Sequence, residues 1–90
     1  MEHRDDAELV RQVLEGNQGA FSVLVTRYQG AVYGIALSLV EDFDVAEDLV
    51  QESLLNAYLH LRTLDEPARF GNWLRIITAN RARTYLRQKR

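Results

Sequence analysis

The chain has 90 residues, 47% of them hydrophobic and 27% charged, enough for one small domain with a single core. It contains no cysteine, which excludes a disulfide framework and a thiolate metal site and fits a reducing cytoplasm. The formal charge is −2, but it is unevenly spread: residues 67–90 hold seven basic and no acidic side chains, whereas residues 1–66 hold four basic and thirteen acidic ones. Such a split points to a polyanion for one end and a different partner for the other, although the bulk pI of about 5.6 by itself argues against nucleic acid. The N-terminus, Met-Glu-His-Arg-Asp-Asp, has no apolar segment of the secretory kind. The longest continuous apolar run falls short of the ~18 residues that span a bilayer, so no membrane insertion is expected.

The elements read as helices almost throughout, with one proline and five glycines leaving little room for a turn-rich β protein. A first helix is expected over 5–15, capped by Asp5 with Glu8 three residues on and closed at Gly16-Asn17. A second runs over 19–40, its buried stripe formed by Phe21, Leu24, Val25, Tyr28, Val32, Ile35, Ala36 and Leu39. Gly30 and Gly34 lie inside it, four residues apart, and close helix packing is the expected compensation for their cost of roughly 1 kcal/mol each. After a break at Glu41-Asp42-Phe43, Asp44-Val-Ala-Glu47 reads as a capping box opening a third helix over 44–62. Arg62 to Arg69, with Asp65-Glu66-Pro67, reads as a loop, and a fourth helix follows over 70–87 with frayed final residues. The fold class is all-α, a compact bundle of about four helices.

Two of these helices carry more than a core. The third has a core face of Ala46, Val50, Leu54, Ala57 and Leu61 and a second arc of Asp48, Gln51, Glu52, Leu55, Tyr58 and Leu59. Carboxylates and an amide interleaved with leucines suit docking of another protein's helix, while the plainer reading makes Leu55 and Leu59 the margin of a wide core stripe. On the fourth helix Phe70, Leu74 and Ile77 face the bundle. Arg69, Asn80, Arg83, Thr84 and Arg87 fall within roughly 60–80° of Trp73 at about 100° per residue. Arginines suit phosphates and the asparagine amide can pair with adenine. Trp73, at the margin of that arc, reads first as a core residue with one exposed edge and second as a stacking platform for an unpaired base. An ordinary solvated helix mixes charge signs; the absence of acid here favours nucleic acid. Arg75 and Arg81 point elsewhere.

Enzymatic readings find no support. His3 and His60 have no paired spacing, and no phosphate loop, nucleophile elbow or HExxH stretch is present. Asp48 and Glu52, one turn apart, read as surface charge rather than an acid–base pair. No cofactor or metal is expected.

Asp44-Val-Ala-Glu-Asp-Leu-Val-Gln-Glu52 followed by Phe70-Gly-Asn-Trp-Leu-Arg-Ile-Ile-Thr-Ala-Asn80 resembles region 2 of bacterial sigma-70-type sigma factors, particularly the extracytoplasmic-function (group IV) members. Gly16-Asn-Gln-Gly-Ala-Phe21 and Tyr28 support the resemblance, which covers residues 6–88. It implies a transcription initiation factor that docks on the β′ coiled coil of RNA polymerase core through Asp48, Gln51 and Glu52, with Leu55 and Tyr58 as apolar neighbours. It further implies reading of the promoter −10 element on the non-template strand by the fourth helix and the loop before it. Asn80 would contact a base, with Arg83, Thr84, Arg87, Ile76, Trp73 and Arg69 around it and Leu64, Asp65 and Glu66 in the loop pocket that takes a flipped base. Flipping costs a few kcal/mol, which phosphate contacts can offset. Thr84 stands where many members have aspartate or asparagine. The resemblance also implies an anti-sigma factor as a partner and a bacterial cytoplasmic location, at the nucleoid when bound to polymerase. Region 4, the −35 reader, is absent from these 90 residues, so the chain is expected to be one domain of a longer factor with low affinity for duplex promoter alone. A sigma-like decoy that binds only an anti-sigma protein is the alternative, but it would not require an acid-free fourth helix. A free-standing DNA-binding regulator would leave Asp48, Gln51 and Glu52 without a purpose.

Overall fold

The computed structural model describes residues 2–89; Arg90, counted above among the basic residues, lies outside them. The described residues form four helices, α1 (Asp6–Leu14), α2 (Gln18–Val40), α3 (Phe43–Leu59) and α4 (Phe70–Lys89), with short 3-10 turns at Leu61–Thr63 and Pro67–Arg69. The expected all-α bundle is what these residues build, with α2 as its centre in contact with all three other helices. Its core collects Leu9 and Val10 from α1, Leu24, Val32 and Ala36 from α2, Ala46, Val50, Leu54 and Ala57 from α3, and Phe70, Leu74 and Ala82 from α4. Leu61, in the first 3-10 turn, completes it. Each large apolar side chain so buried contributes about 1.5–3 kcal/mol. Ser53 and Thr78 are the polar side chains in that core, and each donates its hydroxyl one turn back, to the carbonyls of Leu49 (2.7 Å) and Leu74 (3.0 Å).

The helix ends follow from local chemistry. Asp5 caps α1 as expected, its Oδ1 accepting the Glu8 N–H at 2.8 Å. Gly16, at φ 106, makes the turn out of α1 in a conformation that favours glycine. Asn17 then caps α2 through Oδ1 to the Ala20 N–H, so this helix starts one residue before the expected Gly19. Three expectations need correction. The cap of α3 is Asp42, whose Oδ1 accepts the Val45 N–H at 3.0 Å; Asp44 instead sits in the first turn, where it faces the positive end of the helix. The third helix stops at Leu59 rather than reaching 62, because the chain tightens into the 3-10 turn that buries Leu61. Gly30 and Gly34 do not permit close packing: a Cβ on either would meet nothing within 4 Å, since both lie on the outer side of α2. The segment expected as a loop carries the turn Pro67–Arg69, with Pro67 at its start, leading straight into α4; and α4 is helical to Lys89, past the residues expected to fray.

Helix α2 is also long and apolar enough, by length and composition, to cross a bilayer, with a mean hydropathy of 1.3 in its most apolar stretch. The continuous-run criterion missed this because isolated polar residues interrupt the run. In this fold Ala20, Leu24, Val32, Ala36 and Val40 of α2 are instead buried against the other helices.

Candidate nucleic-acid interface

The start of α4 is fixed by an aromatic cluster. The Phe70 ring is fully buried, with Phe21 (6.2 Å), Tyr28 (5.8 Å) and Trp73 (6.1 Å) around it in edge-on or tilted contacts. Tyr28 is held in turn from α1: its hydroxyl donates to Asp6 Oδ2, while Arg27 pairs with Asp6 Oδ1 at 2.8 Å and donates to the Arg4 carbonyl at 2.8 Å. Burial, first, and the hydrogen bond to the Asp6 carboxylate, second, push the Tyr28 phenol above its ordinary pKa. Gly71 lies directly over that ring, where a Cβ would come within 2.6–2.7 Å of three Tyr28 atoms. The sequence singled out Tyr28 only as part of a stripe. Nothing in residue type alone links it to Asp6, 22 positions away.

From this anchor α4 projects a polar arc. Trp73 is half-buried against Phe70, an edge left to solvent, as the core reading of it holds. Ile76 beside it is 51% exposed, an apolar surface with no core contact to explain it. Asn80 and Arg83 are exposed, with Arg83 Nη1 3.5 Å from Asn80 Oδ1, and Arg87 Nη2 donates to Thr84 Oγ1 at 3.1 Å. Among the described residues neither Arg83 nor Arg87 has a carboxylate partner. Arg69, at the end of the second 3-10 turn, pairs with Glu66 at 3.2 Å, both strongly exposed. Asp65 is exposed and Leu64 half-buried. A cleft bordering this loop takes only Ala68 from it and is otherwise lined by Asp5, Asp6, Ala7 and Arg27. Arg75 and Arg81 leave the arc, as expected, but each has a partner: Arg75 lies 5.6 Å from the centre of the Tyr28 ring, and Arg81 Nη2 pairs with Glu52 Oε1 at 2.9 Å.

The outer arc of α3 lies beside this face. Asp48, Gln51, Glu52, Leu55, Tyr58 and Leu59 are all exposed, with Leu55 at 59% and Leu59 at 65%, so neither leucine is the margin of a core stripe. The arc divides between two flanks. Asp48 and Glu52 line a cleft shared with Arg81, Thr84, Tyr85 and Gln88 of α4. Gln51 lines a cleft with Gln29, Gly30 and Tyr33 of α2. Tyr58 turns toward α2, its ring 5.0 Å from Phe21 and its hydroxyl accepting from Gln18 Nε2 at 3.3 Å.

With the geometry established, the sequence pattern of Sigma-70 region 2 matches residues 24–90, which takes in most of α2 and all of α3 and α4. The chain belongs to the Sigma-70 region 2 family. This region 2 is a domain of transcription initiation factors rather than of enzymes. It is 38% identical over 85 residues to the ECF RNA polymerase sigma-E factor of Haemophilus influenzae, covering 94% of this chain and 44% of that protein. It is 35% identical over 81 residues to the RNA polymerase sigma-H factor of Pseudomonas aeruginosa, covering 90% and 42%. The chain thus spans less than half the length of these curated relatives. Its fold is similar to the NMR structure of an engineered region 2 of sigmaE in complex with GTAAAA, with a TM-score of 0.86 and 38% identity over 99% of this chain and 93% of that one. Outside the matched pattern, α1 belongs to the same structural unit, since that likeness extends across nearly the whole chain.

Proposed function

We propose that this region 2 reads the −10 element of a promoter on the non-template strand and docks on RNA polymerase core, as a domain of an extracytoplasmic-function sigma factor in the bacterial cytoplasm. One observation carries the reading. The acid-free arc of Asn80, Arg83 and Arg87, flanked by Trp73 and the exposed Ile76, stands on a fold shared with a region 2 that forms a complex with GTAAAA. Asn80 contacts a base edge, Arg83 and Arg87 neutralise phosphates, and Thr84 steadies Arg87. Trp73 and Ile76 give apolar surface to an unstacked base. Leu64, Asp65, Glu66 and Arg69 line the side from which a flipped base approaches; a loop carboxylate is suited to the amino group of cytosine. Arg69 exchanges Glu66 for a phosphate at little cost, because exposed ion pairs are worth only ~0–1 kcal/mol.

Polymerase docking falls to the outer arc of α3. Asp48, Gln51 and Glu52 supply polar contacts to the β′ coiled coil, and Leu55 and Tyr58 the apolar ones. The same exposed surfaces suit an anti-sigma factor, which would compete for them. The decoy reading has no observation in its favour: α4 keeps a free basic arc that a decoy does not need.

The test is binding of fluorescent single strands built on GTAAAA, each base permuted in turn. We expect a preference at one or more positions and a loss of ~10-fold or more for Asn80→Ala, in line with ~1–3 kcal/mol for a specific base contact. No preference anywhere, together with undiminished binding by Asn80→Ala, overturns the strand-reading claim. For docking, Gln51→Ala with Glu52→Ala abolishes binding to polymerase core while leaving the helical circular dichroism signal intact; unchanged core binding refutes it.

A further inference from the structure

The Arg81–Glu52 pair joins the two faces assigned above and has no role in either. It is a single contact of 2.9 Å between side chains that remain 42% and 53% exposed. A pair so open to water adds little to the stability of the bundle. Its position is more informative. At about 100° per residue, Arg81 lies about 60° round α4 from Thr84 and about 100° from Asn80, on the flank of the basic arc that faces α3. Arg81, Thr84, Asp48 and Glu52 line one cleft, and Thr84 holds Arg87. A strand lying along Asn80, Arg83 and Arg87 brings phosphates to the Thr84 flank, within the reach of a guanidinium tethered there. Arg81 then has two competing anions, the Glu52 carboxylate and a phosphate. A guanidinium pairs with phosphate through two parallel hydrogen bonds, whereas here it makes one ion-pair contact with Glu52.

We propose that Arg81 is a latent phosphate contact of the strand-binding face, neutralised by Glu52 in the free domain and released when α3 engages its partner through Glu52. The inference rests on the functional reading above. Linkage makes the effect reciprocal: engagement of Glu52 strengthens strand binding, and a bound strand frees Glu52 for docking.

Salt dependence isolates the effect, because each phosphate neutralised on a single strand adds about −0.7 to the slope of log K against log salt. The strand bound best in the permutation series is titrated between 50 and 200 mM salt with four proteins: wild type, Glu52→Ala, Arg81→Ala and the double variant. Glu52→Ala is expected to steepen the slope by about 0.7, which makes its affinity about 2.6-fold more salt-sensitive over that range than that of the wild type. Arg81→Ala alone leaves the slope near wild type, and the double variant returns to it. Steepening that persists in the double variant means that Glu52 merely repels the strand, and it overturns the proposal; so do parallel slopes for wild type and Glu52→Ala. Both results leave strand reading standing. Wild-type binding with no base preference and no response to Asn80→Ala brings down the reading and the inference together. Should Glu52→Ala lose its helical signal, Glu52→Gln removes the same charge with the side chain kept.

Discussion

Gly71 sits where α4 comes closest to α2, and two opposing effects meet there. Alanine in a helix interior is favoured over glycine by up to ~1 kcal/mol. Against that, its Cβ would stand 2.6 Å from the Tyr28 ring, which is pinned by Asp6 on one side and Phe70 on the other and has no room to retreat. Overpacking of this kind costs ~1–3 kcal/mol, so the clash wins. Gly71→Ala should therefore lower the stability in chemical denaturation by ~1–2 kcal/mol; a gain in stability would show that the ring yields. The same ring gives a pH signature. The phenol is held above its ordinary pKa of about 10, so the folded state keeps its proton where the unfolded chain has lost it. That stabilisation is whole below pH 10 and is lost as pH rises through the folded value. Stability should thus fall more steeply above pH 10 in the wild type than in Tyr28→Phe, as read from denaturation midpoints across that range; identical slopes would mean that Tyr28 is not the group responsible.

At the level of the elements, the cap of α3 distinguishes two aspartates that look alike in sequence. Asp42→Ala should cost ~1 kcal/mol through the lost bond to the Val45 N–H, and Asp44→Ala only a few tenths, through the helix dipole alone. Equal losses, or a larger one at Asp44, would return the cap to the position first expected. Periodicity made the helices and their buried faces legible: Ala46, Val50, Leu54, Ala57 and Leu61 are all buried, and Phe70 and Leu74 wholly so. The polar arc of α4 was legible too, because the absence of acid is a property of composition as well as of geometry. What escaped were facts that depend on another element. Whether Gly30 and Gly34 meet a neighbour is decided by which side of α2 the bundle covers. That Leu55 and Leu59 face solvent is decided by the lack of any helix over that side of α3. Neither the Asp6–Tyr28 bond nor the Arg81–Glu52 pair has a local signature, since their partners stand 22 and 29 residues apart.

Across the whole molecule the charge split acquires a spatial meaning. Basic residues on the arc of α4 are positioned for a polyanion, and the acids that might have screened them are either placed on α3 or committed to neighbours, as Asp6 is to Arg27. Arg83 and Arg87 therefore keep a field that steers a strand toward Asn80 and weakens as salt rises. The two faces adjoin along the cleft between α3 and α4, so occupation of one bears on the other. The central claim is that the arc of α4 and the loop before it form the surface that meets the strand. Titration of the isotopically labelled domain with a single strand containing GTAAAA, followed by amide and side-chain NMR shifts, tests it most directly. The account predicts that the largest shifts fall at Leu64–Glu66, Arg69, Trp73, Ile76, Asn80, Arg83, Thr84 and Arg87, with the Trp73 indole and the Asn80 amide among them. Shifts concentrated on the outer side of α2 or on the Tyr58 end of α3, with those residues unmoved, would contradict it.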